Sequence, residues 1–462
     1  MQINFKKYII AASAATGMLI GACTKTSYVS DPNNPTVESV LTNATRVQID
    51  QLSVGVQGTM RTGLFSFYTW SGSIGREVVY FQATESRYYR ELQGEIPIDP
   101  AGIMWDWYNG FNQTRRRAEI LLQSAEHSSA LTDAEKAAVK GFAKTVQAYV
   151  MLNALNMDGG NGIRTSFSDL NAPGDLLRPG CFGTYQASLD YVKMLADDGL
   201  AALSTASAAF PFHVAKGWTG FEKPADFIMF NRAVAARIAM YKQDWNGLKD
   251  ALNASFMDVN GSLNNGPKFL YSTTGGDVTN PFWQAKDEPS VVTLVQAAFV
   301  PDAEANDNRV FGSSVADGGI AKIRKRTTAL APPDYPLMAY ELQQYATNTS
   351  PVSIIRNEEL LLMSAEADIQ LNKLPDAITT LNKIRVAHNL TPYSGANTKD
   401  ALISELLKQR RYSLFMEGHR WFDVRRYNLL NTLPKDKPTH NVWLEFPRYK
   451  QDADWDAVNP CK

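Results

Sequence analysis

The stretch ALISELLKQRRYSLFMEGHRWFDVRRYNLL, residues 401–430, decides the fold. Leu402, Leu406 and Leu414 lie on one side of a helical register with Ile403 and Leu407 beside them, an apolar stripe on an otherwise charged segment. Arg410, Glu417, Arg420 and Asp423 follow at spacings of three to ten residues, where charged side chains can pair along one face or reach a neighbouring hairpin. Such a set reads as a structural ion network, and a partner removed from it while buried would cost stability before it cost any chemistry.

Working outward from this stretch, three more segments have the same build. In RNEELLLMSAEADIQLNKLPDAITTLNKIRVAHNL, residues 356–390, a helix, a short turn at Lys373 to Pro375 and a second helix follow one another. In residues 227–256, Phe230, Val234, Ile238 and Tyr241 form one stripe, Asp244 and Trp245 mark the turn, and Leu248, Ala251 and Leu252 begin the next helix. Near residues 131–157, Thr132 and Glu135 have capping-box spacing ahead of Ala138, Phe142, Val146, Tyr149 and Val150. Two-helix units of about 34 residues resemble tetratricopeptide repeats, and each buries its apolar face only against a neighbour.

The segments between them, residues 158–185 and 257–335, are rich in Gly, Asn, Asp and Pro and have little helical period. They are expected to be long loops or short strands, and loops of such length carried on a rigid scaffold are commonly functional. The fold class that results is mostly α: tetratricopeptide-like hairpins as a scaffold, with irregular loops and short strands on one side, in one large domain.

Composition agrees with an ordinary globular body. Of 462 residues 44% are hydrophobic, 20% charged and 11% aromatic, and Lys plus Arg (46) nearly balance Asp plus Glu (47). That balance gives no sign of a nucleic-acid partner.

The amino terminus is different. Lys6 and Lys7 precede an apolar run from Tyr8 to Ala22 that is too short to span a bilayer and has the build of an export signal. Leu19, Ile20, Gly21 and Ala22 lead directly into Cys23, which resembles a bacterial lipoprotein lipobox. The reading is a signal peptide over residues 1–22, lipidation at Cys23, a polar tether over 23–42 and a body over 43–462. Acyl chains at about 0.8 kcal/mol per buried methylene would hold such a body to a membrane without a spanning helix. Cys181 and Cys461 remain, too few for a disulfide scaffold, and a bridge between the two is left open.

The chain resembles the SusD/RagB-like outer-membrane nutrient-binding lipoproteins of Bacteroidetes. Arg356, Glu359, Leu361, Leu362, Ala365, Glu366 and Ala367 fit one family helix, Leu381 to Arg385 another, and NRAVAARIAMYKQDW (231–245) a third. The carboxy-terminal signature is matched by Arg410, Arg411, Glu417, Gly418, Arg420, Trp421, Phe422, Asp423, Arg425 and Arg426. Two positions depart from it: Gln409 and Ser413 stand where the family usually has glutamates.

The resemblance implies a lipid-anchored protein facing outward from the outer membrane. It would capture a glycan or peptide and pass it, uncleaved, to a SusC-like TonB-dependent transporter. A helical-repeat adaptor that holds other surface proteins is the alternative.

No catalytic machinery is expected. His127, His213, His388, His419 and His440 include no pair at metal-ligand spacing, and there is no HExxH, G-x-S-x-G or phosphate loop. No cofactor is expected either. DVNGSLNNG (258–266) and PDAEANDNR (301–309) offer oxygen ligands that could suit a structural calcium, but neither has EF-hand spacing and both read more simply as solvated loops.

Candidate ligand contacts come from the aromatics. Residues 64–92 place Tyr68, Trp70, Tyr80, Tyr88 and Tyr89 among Ser, Gly, Arg76, Glu77 and Arg87. Flat rings beside charged groups are what a sugar needs, its C–H faces stacking and its hydroxyls hydrogen bonding. In the resembled family this early region and loops after the second repeat supply the ligand surface, which adds Trp283 of NPFWQAKD. Trp105, Trp107 and Tyr108 are expected in the core.

Overall fold

A computed structural model describes residues 37–166, 179–313 and 321–460. Cys23 and Cys461 lie outside these, and Cys181 is disulfide-bonded. The body begins before Asn43: helix α1 (Val37–Asn43) already buries Val40 and Leu41. Helix α2 (Arg46–Thr59) starts at a capping box of Thr45 and Gln48, and α3 (Leu64–Ile74) follows it after Gly63. Gly63 has φ 76°, and a Cβ there would lie 2.8 Å from the Asp106 carbonyl oxygen, so no other residue makes this corner without strain.

Strand β1 (Val78–Gln82) and the short α4 (Arg87–Arg90) lead to α5 (Trp105–Glu126) and α6 (Asp133–Asp158). The expected capping box at Thr132 and Glu135 is present. From Ala138 onward every residue of α6 except Lys140 and Lys144 is buried, so this helix is enclosed by neighbours on all sides. Next come α7 (Tyr185–Leu203), α8 (Pro224–Lys242) and α9 (Trp245–Asn253), the last capped by the Asp244 carboxylate, which accepts from Gly247 N at 2.9 Å.

After the loop segment the helices resume. The strands β2 (Lys268–Phe269), β3 (Val291–Val295), β4 (Ile323–Leu330), β5 (Met338–Leu342) and β6 (Val352–Ser353), with the one-turn α10 (Asn308–Phe311), precede α11 (Asn357–Gln370). Then follow α12 (Leu374–Ala387), α13 (Lys399–Ser413), α14 (Arg420–Arg426) and α15 (Lys450–Val458).

Successive helices stack side by side. α5 packs on α6, α6 on α7, α7 on α8, α8 on α9, α9 on α11, and α11 on both α12 and α13. This is the expected hairpin array, because each apolar stripe meets the next one along. The four-stranded antiparallel sheet, in the order β1-β3-β5-β4, stands at one side of it. Alternate residues of β1 point to opposite faces: Val78 joins Phe299, Tyr412 and Phe415 against α13, and Val79 joins Tyr89, Leu294 and Tyr335. Two-stranded pairing of β2 with β6 closes the segment between α9 and α11.

The ion network divides in two. Arg410 pairs with Asp423 at 2.6 Å, and Asp423 also holds Arg426, which reaches Glu366 at 2.7 Å. Glu417 instead reaches Arg356 (2.9 Å) and Lys322 (3.0 Å), while Arg356 also binds Glu358. Arg420 joins neither group; it packs against Gly75 beside Glu77. Burial alone would raise the Glu417 and Asp423 carboxyls, but the arginines around them bring both down to about 2. Glu359, on the same helix as Glu366, pairs with Arg237 at 2.6 Å.

The two departures from the family signature have partners of their own. Arg309 donates to Gln409 Oε1 and to Ser413 Oγ, both at 2.8 Å, and its charge is met by Asp307 at 2.6 Å. A neutral acceptor at 409 and at 413 suffices because an aspartate two residues from Arg309 supplies the negative charge.

Candidate functional site

Residues 64–92 are not an exposed loop. They form α3, β1 and α4, and most of their rings face inward. Tyr68 and Trp70 are buried, with Trp70 only 4% exposed and its Nε1 donating to the Ile103 carbonyl at 2.9 Å. Tyr80 is buried at the edge of the sheet, and Tyr89 packs on Phe81 and Tyr335 at centroid distances of 6.1 and 5.6 Å. Arg76, 1% exposed, donates to the carbonyls of Ser73, Leu92, Gln93, Pro434 and Asn441. It ties three chain segments together and has no face to offer a ligand.

Two of the expected contacts do reach the surface. Trp283 is 39% exposed and Tyr88 is half-buried. A row of packed rings, of which the sequence singled out only Trp70 and Tyr80, runs up to Tyr88 and includes Phe282, the neighbour of Trp283 in sequence. Tyr345 packs on Phe282 (5.7 Å), Phe282 on Phe65 (5.6 Å), and Phe65 on Tyr80 (5.5 Å) and Trp70 (6.1 Å). Trp70 and Tyr80 in turn hold Tyr88 at 5.1 and 5.3 Å.

Phe65 is itself only half-buried, so Phe65 and Tyr88 present aromatic surface along one bed of rings, and the exposed Trp283 follows Phe282 of that bed in sequence. Glu85 and Arg87, paired at 2.7 Å, flank Tyr88 with charge. The loop that carries Trp283 is fixed by Asn280, whose amide donates to the Ser350 carbonyl at 2.8 Å. Aromatic faces on a rigid bed with polar groups at the rim can stack sugar rings without much loss of side-chain freedom.

A second exposed ring departs from expectation. Trp107 is fully buried as expected, but Trp105 is 50% exposed and leans on Tyr449 at 5.7 Å. Tyr449 also stacks on Tyr108 at 4.8 Å.

His419 is buried, and burial pushes its imidazole down to about 4, so it stays neutral. Among the described residues no three His, Cys, Asp or Glu side chains gather as metal ligands. In 301–309 the acids bind arginines instead, Asp302 with Arg411 at 2.9 Å and Glu304 with Arg385 at 2.8 Å. Among the described residues no helix is long and apolar enough to cross a membrane.

Comparison with known proteins agrees with the fold and the signature. Residues 338–459 match the SusD family pattern. SusD-like protein P38 of Formosa agariphila is 30% identical over 121 residues, which span 22% of this chain and only 24% of that relative's length.

Solved structures cover far more of the chain. Surface glycan-binding protein A from Bacteroides thetaiotaomicron superposes with a TM-score of 0.66 at 13% identity, over 91% of this chain and 99% of that one. Its complex with laminarihexaose gives 0.65 at 14% identity, over 89% and 98%. A SusD superfamily protein from Bacteroides vulgatus gives 0.65 at 16% identity, over 88% and 96%. The fold is that of the SusD superfamily, and the carboxy-terminal part has the family's own sequence pattern.

Proposed function

We propose that this protein is a surface glycan-binding lipoprotein that captures an oligosaccharide without cleaving it. Trp283 carries the reading: a large ring, 39% exposed, follows directly in sequence on Phe282, which packs on Phe65, Tyr68 and Tyr345. The similar protein solved with laminarihexaose supports a glycan as the ligand class. Lipidation at Cys23, an outward face on the outer membrane and delivery to a SusC-like TonB-dependent transporter complete the proposal. They rest on the amino-terminal pattern and the family resemblance.

Affinity-gel retardation against a panel of neutral and acidic polysaccharides, with peptides titrated in parallel, tests it. Retardation by at least one glycan that is lost in Trp283→Ala at an unchanged melting temperature is the expected result. Capture of peptides alone would replace the ligand class. Capture of neither would favour an adaptor that holds other surface proteins.

A further inference from the structure

A cavity of about 550 Å³ opens between the β2–β6 pair, the loop after β5 and the carboxy-terminal end of α12, and the function proposed above does not use it. Its volume lies within the usual range of small-molecule sites and would hold one or two sugar rings. Its walls are polar and charged: Lys268, Arg309, Lys322 and Arg356 face two carboxylates, Glu358 and Glu417.

Those carboxylates are occupied. Glu417 accepts from Arg356, Lys322 and Gln344. Glu358 accepts from Arg356, from Ser413 Oγ at 2.5 Å, and lies 2.6 Å from His388 Nε2. Arg309 is neutralised from behind by Asp307. Four cations therefore stand against three carboxylates, and Lys268 is the one with no carboxylate within 4.0 Å among the described residues. Gln344 Oε1, buried in the same wall, accepts no hydrogen bond from the protein.

A recess with one uncompensated cation and a free amide acceptor is complementary to an anionic group that also bears a hydroxyl. The cavity also adjoins the ring bed. Tyr345 lines it and packs on Phe282, and Ser350, another lining residue, accepts from Asn280 of the Trp283 loop.

We propose that this cavity is a second subsite that takes an acidic sugar residue, its carboxylate or sulfate against Lys268 and a hydroxyl on Gln344 Oε1. The proposal rests on the glycan reading and narrows it to glycans that contain acidic units.

Calorimetric titration of the mature protein with glucuronate, with glucose 6-sulfate and with glucose tests it. At low salt, one or both acidic sugars bind while glucose does not. Affinity falls at least about tenfold in Lys268→Met, is retained in Lys268→Arg, and weakens with added salt because the contact is charged. Gln344→Leu weakens it as well, which guards against a folding defect peculiar to position 268.

Acidic sugars that bind no better than glucose, or equally well to Lys268→Met, would overturn the proposal. Trp283→Ala separates the two sites. Polymer capture lost in that variant while glucuronate binding persists supports both. Polymer capture that depends on Trp283 with no glucuronate binding at all removes this subsite and leaves the glycan reading standing.

Discussion

Arg356 and Glu417 are joined at 2.9 Å across 61 positions of sequence, and the pair connects the start of α11 to the turn between α13 and α14. Arg356 belongs to one of the family-like helices and Glu417 to the carboxy-terminal signature. Their contribution is to hold the scaffold on which the loops stand. Glu417→Ala would leave Lys322 without a carboxylate and Arg356 with Glu358 alone in a largely buried setting, so it should cost about 3–5 kcal/mol in denaturant unfolding. The same carboxyl makes the protein acid-sensitive. Its native pKa, about 2, lies below that of an unfolded glutamate, so its stabilisation is complete above the unfolded value and is lost as pH falls toward about 2. A loss below about 1 kcal/mol in the alanine variant would show the pair to be solvent-screened, as surface pairs are.

Glu77 has the opposite sign. Burial raises its carboxyl to about 8, with Met416 N and Arg420 offsetting only part of that, so the native state keeps a proton that the unfolded chain releases near pH 4 to 5. Its stabilisation is present below the unfolded value and is lost as pH rises through about 8. Glu77→Gln removes the titration. The melting temperature of this variant relative to the parent should therefore climb steadily between about pH 5 and 8, and a flat difference would refute the assignment.

Gln409 should not tolerate the glutamate usual at its position. Its amide donates to Glu405 at 2.8 Å while its oxygen accepts from Arg309, already neutralised by Asp307. Gln409→Glu would set two buried carboxylates against each other and remove a donor, so a loss of about 1–3 kcal/mol is expected in chemical denaturation. A stabilised variant would mean that Arg309 lacks a full countercharge.

Much of the scaffold was legible because its signals are local. The Thr132–Glu135 box and the turns at Lys373 and at Asp244 each involve residues within four positions of one another, and all were found where expected. The ion partners were not legible, because Glu417 finds Arg356 and Glu366 finds Arg426 from about sixty residues away. Burial of residues 64–92 was misread for a specific reason. Ser66 and Ser71 look like loop residues, but each turns its hydroxyl onto a carbonyl of its own helix, Gly63 and Phe67, and so can be buried at little cost. That let α3 sink into the core and took Tyr68 and Trp70 with it. Phe65 was missed because nothing in sequence separates a half-buried ring from its fully buried neighbours.

The exposed rings remain, and two tryptophans compete for the role of platform. Trp283 follows Phe282, which packs on Phe65, and Trp105 leans on Tyr449. The most direct test is calorimetric titration of the best-retained oligosaccharide into the parent, Trp283→Ala and Trp105→Ala proteins at matched melting temperatures. Loss of one stacking ring is worth about 1–3 kcal/mol, so affinity should fall roughly tenfold or more in Trp283→Ala and stay unchanged in Trp105→Ala. Full binding by Trp283→Ala would contradict the platform assigned here, and loss in Trp105→Ala alone would move it to the Tyr449 face.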